Sequence, residues 1–135
     1  MNNFNMNNSA PLKVLVVDDN DSLRRNLVAM LADENFDVSE ARSGEAALTE
    51  LGHQSFNVAL VDMRLPGMSG NEFIEQASSI SPALRFLIHT GSADYLIPPN
   101  ISALGVSDQD VFLKPISDIE KLFGRIRGLC QKIAP

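Results

Sequence analysis

From Leu12 onward the chain alternates short apolar runs rich in β-branched residues with stretches in which apolar residues recur every three or four positions. Strands that are apolar throughout must be covered on both faces, and an intervening helix is what covers them. The pattern therefore restricts the chain to repeated βα units, an α/β fold in which a parallel sheet carries helices on both sides. A length of 135 residues, 44% of them apolar, suits one compact domain of this kind and leaves no room for a second.

The runs can be placed one by one. LKVLVV at 12–17 stops at Asp18-Asp19, and Leu23, Leu27, Met30 and Leu31 follow at helical spacing. Residues 37–41 read as a short edge strand, after which Ser43 can cap a helix carrying Ala46, Ala47, Leu48 and Leu51. NVALVD at 57–62 is a fully buried strand pattern ending on Asp62. Pro66, Gly67 and Gly70 then force MRLPGMSG into a loop before Phe73, Ile74 and Ala77 resume the helical period. RFLIHT at 85–90 is a fourth strand ending on Thr90, and DVFLKP at 110–115 a fifth ending on Lys114-Pro115. Ile119, Leu122, Phe123, Ile126, Leu129, Cys130 and Ile133 form one apolar stripe on a last helix that begins near Asp118. Residues 1–10, with five Asn and no apolar period, are expected to be a frayed tail, leaving 11–135 as the folded domain.

Charge and cysteine content exclude several functions. A formal charge of −6 gives no basic field to hold a polyanion, so direct nucleic-acid binding is not expected. The single cysteine, Cys130, cannot form an internal disulfide, and the N-terminus lacks a basic segment followed by an apolar one. A cytoplasmic location is expected. The longest apolar runs are strand-sized, far below the ~20 residues a membrane-spanning helix needs.

Four of the five expected strands end, at the carboxyl edge, in a residue able to handle charge: Asp18-Asp19, Asp62, Thr90 and Lys114. In open parallel sheets the ligand site lies beyond the carboxyl ends of the strands, so these residues are expected to converge on one pocket. Three carboxylates there repel one another unless a hard cation neutralises them, and Mg²⁺ takes oxygen ligands readily. With a lysine ammonium and a hydroxyl beside it, such a site suits a phosphoryl group carried on Asp62.

These residues, in this order over about 12–133, resemble the receiver domains of two-component response regulators. Asp18-Asp19 resembles the family's acidic pair, Asp62 its phosphoacceptor, Thr90 its switch hydroxyl, and Lys114-Pro115 its lysine and cis-proline. MRLPGMSG resembles the loop after the phosphoacceptor. The resemblance implies a flavodoxin-like, doubly wound sheet of five parallel strands in the order 2-1-3-4-5. It implies Mg²⁺ held by Asp19, Asp62 and the Arg64 carbonyl, and by Asp18 through water. It also implies a sensor histidine kinase or phosphotransfer protein as donor, a downstream protein as partner, and a receiver that catalyses its own phosphorylation.

Two features depart from that family. Three positions before the lysine, receivers usually carry Tyr or Phe, whose ring swings inward when the switch hydroxyl engages. Here Val111 stands there, and alternation points the adjacent Phe112 to the opposite face. Pro98 and Pro99 fit a helix interior badly, so the fourth helix should be short or displaced, starting no earlier than about Pro99.

The remaining polar residues have plainer readings. His89, one place before Thr90, is expected to point away from the pocket as a core or interface histidine. His53 is expected to be exposed, Cys130 to pack, and Arg24 and Arg25 to line a solvated helix face. An aspartyl-phosphate phosphatase would need a second Asp where Arg64 stands, and a flavin-binding protein would need a phosphate loop where DDNDS stands. The rival to a phosphorylated receiver is a pseudo-receiver, an interaction module that phosphorylation does not switch.

Overall fold

The computed structural model describes residues 10–130. The tail expected at 1–10 falls almost wholly outside the described residues, as does Ile133. Within them the βα alternation appears as β1 (Lys13–Val17), α1 (Asp21–Asp33), β2 (Asp37–Ala41), α2 (Gly44–His53), β3 (Val58–Asp62), α3 (Gly70–Ile80), β4 (Arg85–Thr90), α4 (Pro99–Ser102), β5 (Val111–Leu113) and α5 (Ile119–Cys130). All strand pairs are parallel, in the order β2-β1-β3-β4-β5.

Strand alternation splits the core into two layers. Leu15, Val17, Ala59, Val61, Phe86 and Ile88 pack with Ala47, Leu51, Phe73, Ile74, Ala77 and Ile101. Val14, Val16, Val58, Leu60, Leu87 and Phe112 pack with Leu27, Leu31, Leu122, Phe123, Ile126 and Leu129 on the other side. Each fully buried Leu, Ile or Phe here stabilises the fold by about 1.5–3 kcal/mol before entropy is counted.

The helices start where capping chemistry allows. Asn20, Ser43 and Ser69 each accept a backbone N–H from the first turn of their helix, at Leu23, Ala46 and Glu72 respectively. Ser69 and Glu72 complete a reciprocal capping box. Helix α1 ends on a left-handed residue, Asn35 at φ 71°, which lets the Phe36 N–H reach the Leu31 carbonyl at 3.2 Å.

The fifth strand is shorter than the sequence suggested. Residues 108–110 form a 3₁₀ turn, because the Asp110 carboxylate is used locally: it accepts the Ser107 N–H at 2.8 Å and pairs with Arg125 Nε at 2.6 Å. The strand therefore starts at Val111, although the Lys114 N–H still reaches the Thr90 carbonyl at 2.8 Å. Helix α4 is a single turn with Pro99 in its first position, as the paired prolines require. The Lys114-Pro115 bond is cis. His53, in the last turn of α2, is exposed, and Cys130 packs partly buried against the second layer.

Candidate functional site

Parity along the strands decides which side chains share the carboxyl edge. Asp18 continues the face of Val14 and Val16, and Asp62 continues that of Val58 and Leu60. Both carboxylates thus emerge on the side of α1 and α5 and are nearly inaccessible, at 1% and 3% exposure. Asp19 sits one residue further into the loop and is exposed. Carboxylate oxygens of Asp18, Asp19 and Asp62 all lie within 4.8 Å of one another, a spacing that could hold a metal ion.

Lys114 brings positive charge between them. Its Nζ is 3.2 Å from Asp62 Oδ1 and 3.4 Å from Asp18 Oδ2, so one ammonium is shared by two carboxylates. Asp62 Oδ1 also accepts the Arg64 N–H at 3.1 Å, and Asp18 Oδ1 accepts the Asn20 N–H at 2.9 Å. No hydrogen bond reaches Asp18 Oδ2. Burial pushes the Asp62 carboxyl up from its ordinary pKa and the neighbouring Asp18 adds to this, while the Arg64 N–H and Lys114 pull it back. A buried carboxylate in that balance is short of positive charge, and three acidic groups against one ammonium suit a hard divalent cation.

Thr90 continues the opposite face, that of Phe86 and Ile88. It is buried, and its hydroxyl oxygen accepts the Ser92 N–H at 3.1 Å. The open cleft above the acidic group is lined by Asp62, Arg64, Gly91, Ser92 and Lys114. The structure therefore brings Asp18, Asp19, Asp62 and Lys114 together and sets Arg64 and Ser92 at the rim, while Thr90 is joined to the cleft through its bonds to Ser92 and to the Lys114 N–H rather than lining it.

Two expectations need correction. Arg24 is not on a solvated face: it is buried, its Nη1 donates to the Asp18 carbonyl at 2.9 Å, and it pairs with Glu40 at 2.6 Å and Asp21 at 2.9 Å. With all three of its nitrogens engaged, the guanidinium braces the acidic loop against the end of β2. Arg25 is exposed as expected. His89 lies in the core as expected but does not point away from the pocket. It has the parity of Leu87, which is that of Asp18 and Asp62, and its Nδ1 is 3.9 Å from Asp18 Oδ2. Alternation sets His89 opposite Thr90, but the carboxylates leave the sheet from the face that His89 shares. The DDNDS segment offers Asp21 as a partner three residues away, but the contacts that bury Arg24 also need Glu40 from β2 and the Asp18 backbone carbonyl, which a helix-face reading does not show.

A model of the family described as the response regulator receiver domain matches residues 14–127, most of the chain. The chain belongs to that family. This receiver domain is 29% identical over 116 residues to the response regulator receiver protein CpdR of Brucella abortus, covering 82% of this chain and 95% of that protein. It is 31% identical over 121 residues to the sensory transduction protein RegX3 of Mycobacterium bovis, where it spans 88% of this chain and about half, 51%, of the relative. Among solved structures, a response regulator receiver protein from Pseudomonas putida superposes with a TM-score of 0.78 at 30% identity, covering 89% of this chain and 98% of that one. The flavodoxin-like sheet order implied by the resemblance is the one observed. No helix among the described residues is long and apolar enough to cross a membrane.

Proposed function

We propose that this receiver accepts a phosphoryl group on Asp62 from the phosphohistidine of a sensor histidine kinase or phosphotransfer protein, and so switches a face that binds a downstream protein. What carries the reading is the position of Asp62, a buried carboxylate with Lys114 Nζ at 3.2 Å and two further carboxylates within 4.8 Å. In the transfer an Asp62 oxygen forms the new P–O bond as the P–N bond to the donor imidazole breaks. Asp19, Asp62 and the Arg64 carbonyl would hold Mg²⁺, with Asp18 acting through a water. When bound, the ion offsets the carboxylate repulsion and the charge on the phosphoryl oxygens.

The remaining work falls to the chain itself. The Lys114 ammonium neutralises one phosphoryl oxygen, and the Thr90 hydroxyl, which now only accepts from Ser92, has its own proton to donate to another. Arg64 and Ser92, at the rim, flank the path of an attacking water. The folded unit of the reading is the domain from about residue 11, and its place of work is the cytoplasm.

Amide NMR with Mg²⁺ and beryllofluoride, which mimics the acyl phosphate, tests this. Shifts at Asp62, Thr90 and Lys114 that spread into residues 91–109 are expected. A spectrum unchanged from that with Mg²⁺ alone would make the chain an interaction module indifferent to phosphorylation.

A further inference from the structure

His89 is a buried polar side chain at the site that the proposed transfer does not use. It is 1% exposed, it stands between Asp62 and Phe112 as its cross-strand neighbours, and its Nδ1 is 3.9 Å from Asp18 Oδ2. Neither that Asp18 oxygen nor His89 Nε2 has a hydrogen-bond partner. Buried polar atoms almost always find partners, and an orphan carries a desolvation cost that a leucine at the same place would not incur. The unpartnered Asp18 oxygen, with His89 Nδ1 only 3.9 Å away, therefore points to a contact made in another state of the site.

The shared lysine indicates which state. In the unphosphorylated site Lys114 Nζ serves both Asp62 Oδ1, at 3.2 Å, and Asp18 Oδ2, at 3.4 Å. Once Asp62 carries a phosphoryl group, the ammonium is drawn to the new anionic oxygens and Asp18 Oδ2 loses its nearest cation. We propose that His89 is a positioning residue, whose Nδ1–H takes over the Asp18 carboxylate as Lys114 turns to the phosphoryl group. The inference rests on Asp62 being the acceptor. The movement required is small, since closing 3.9 Å to an ordinary charge-assisted length of about 2.8 Å takes about 1 Å of side-chain adjustment. Asp18 then stays fixed while the charge beside it rearranges.

The test compares the full chain with His89→Leu, which keeps the packing and removes the donor, and with His89→Asn, whose amide nitrogen occupies the place of Nδ1. Dissociation constants are measured for Mg²⁺ alone and for beryllofluoride at saturating Mg²⁺. His89→Leu is expected to weaken beryllofluoride binding roughly tenfold, about 1.4 kcal/mol, with the Mg²⁺ constant moved less than about twofold, and His89→Asn should recover most of the loss. Wild-type constants in His89→Leu, or equal weakening of both ligands, would overturn the proposal, since a purely structural residue would not separate the two. Imidazole ¹⁵N NMR of the unmodified chain gives an independent reading should the leucine variant fail to fold. Nδ1 should be protonated and shift on adding beryllofluoride but not Mg²⁺ alone, and an unprotonated Nδ1 in the loaded state would overturn the proposal. A parent chain that binds Mg²⁺ but no beryllofluoride would instead overturn the phosphoacceptor reading, and the His89 proposal with it.

Discussion

At Asp62 the site holds a carboxylate under strain of its own making, and this has a stability consequence with a definite sign. Burial raises its pKa in the folded state, so between the ordinary carboxylate value and the raised one the folded chain binds more protons than the unfolded, and stability falls as pH rises through that window. Above that window the cost is present in full. Asp62→Asn removes it and should raise the stability of the metal-free protein by about 1–3 kcal/mol, seen as a higher melting temperature in EDTA. His89 has the opposite sign. Burial first, then Lys114, lowers its pKa from 6.5 to about 4, partly offset by Asp18, so its contribution is complete above the ordinary value and is lost as pH falls to about 4. Urea midpoints should therefore drop less between those two pH values in His89→Leu than in the parent. In the proposed function Arg64, which lines the cleft, is the residue that would set the lifetime of the acyl phosphate. A guanidinium folded over the phosphoryl group blocks in-line water, so Arg64→Asn should speed loss of the acyl phosphate roughly tenfold, about 1.4 kcal/mol of barrier, in single-turnover decay under saturating Mg²⁺. Equal decay rates would remove that role from Arg64 and leave the acceptor unaffected.

The elements around the site are held by a few close approaches rather than by length. Helix α3 begins at Gly70, whose absent Cβ would lie 2.5 Å from the Asp62 carbonyl oxygen and 2.8 Å from Met63 Cα. Backbone cannot yield there as a flexible side chain could. Gly70→Ala should cost roughly 3 kcal/mol and displace Asp62, lowering both the denaturation midpoint and Mg²⁺ affinity, whereas a variant of parental stability would mean that α3 is free to shift. On the far side, the segment from Gly91 to Pro98 has no regular structure and is tied down by the Tyr95 hydroxyl, which donates to Asn71 Oδ1 at 3.1 Å. Helix α4, one turn long, is anchored by the fully buried Ile101. Val111 packs where the family usually carries an aromatic, so in the proposed function a signal from Thr90 would act on these ties and on the Asn100 amide, which donates to Glu75 at 2.6 Å.

Across the whole molecule, the repeating βα pattern made the strands, their carboxyl edge and the convergence of Asp18, Asp19, Asp62 and Lys114 readable from the sequence. Apolar periodicity and strand ends are local properties that tertiary packing had no reason to override. The paired prolines likewise announced the stunted α4, because a missing N–H acts at its own position. What was hidden depends on tertiary partners that apolar periodicity does not report. Arg24 becomes buried only because Glu40 and the Asp18 carbonyl meet it, and His89 faces the carboxylates only because strand register sets its parity against theirs. Asp110 left the fifth strand for the same kind of reason, claimed by Arg125 from α5. The account stands on one chemical claim, that Asp62 is the acceptor, and borohydride trapping followed by peptide mass spectrometry tests it most directly. Incubation with a small phosphodonor and Mg²⁺ should place one phosphoryl group on Asp62, lost in EDTA and in Asp62→Asn. Phosphate on His89 or Ser92 with Asp62 unmodified, or labelling that does not depend on Mg²⁺, would contradict it.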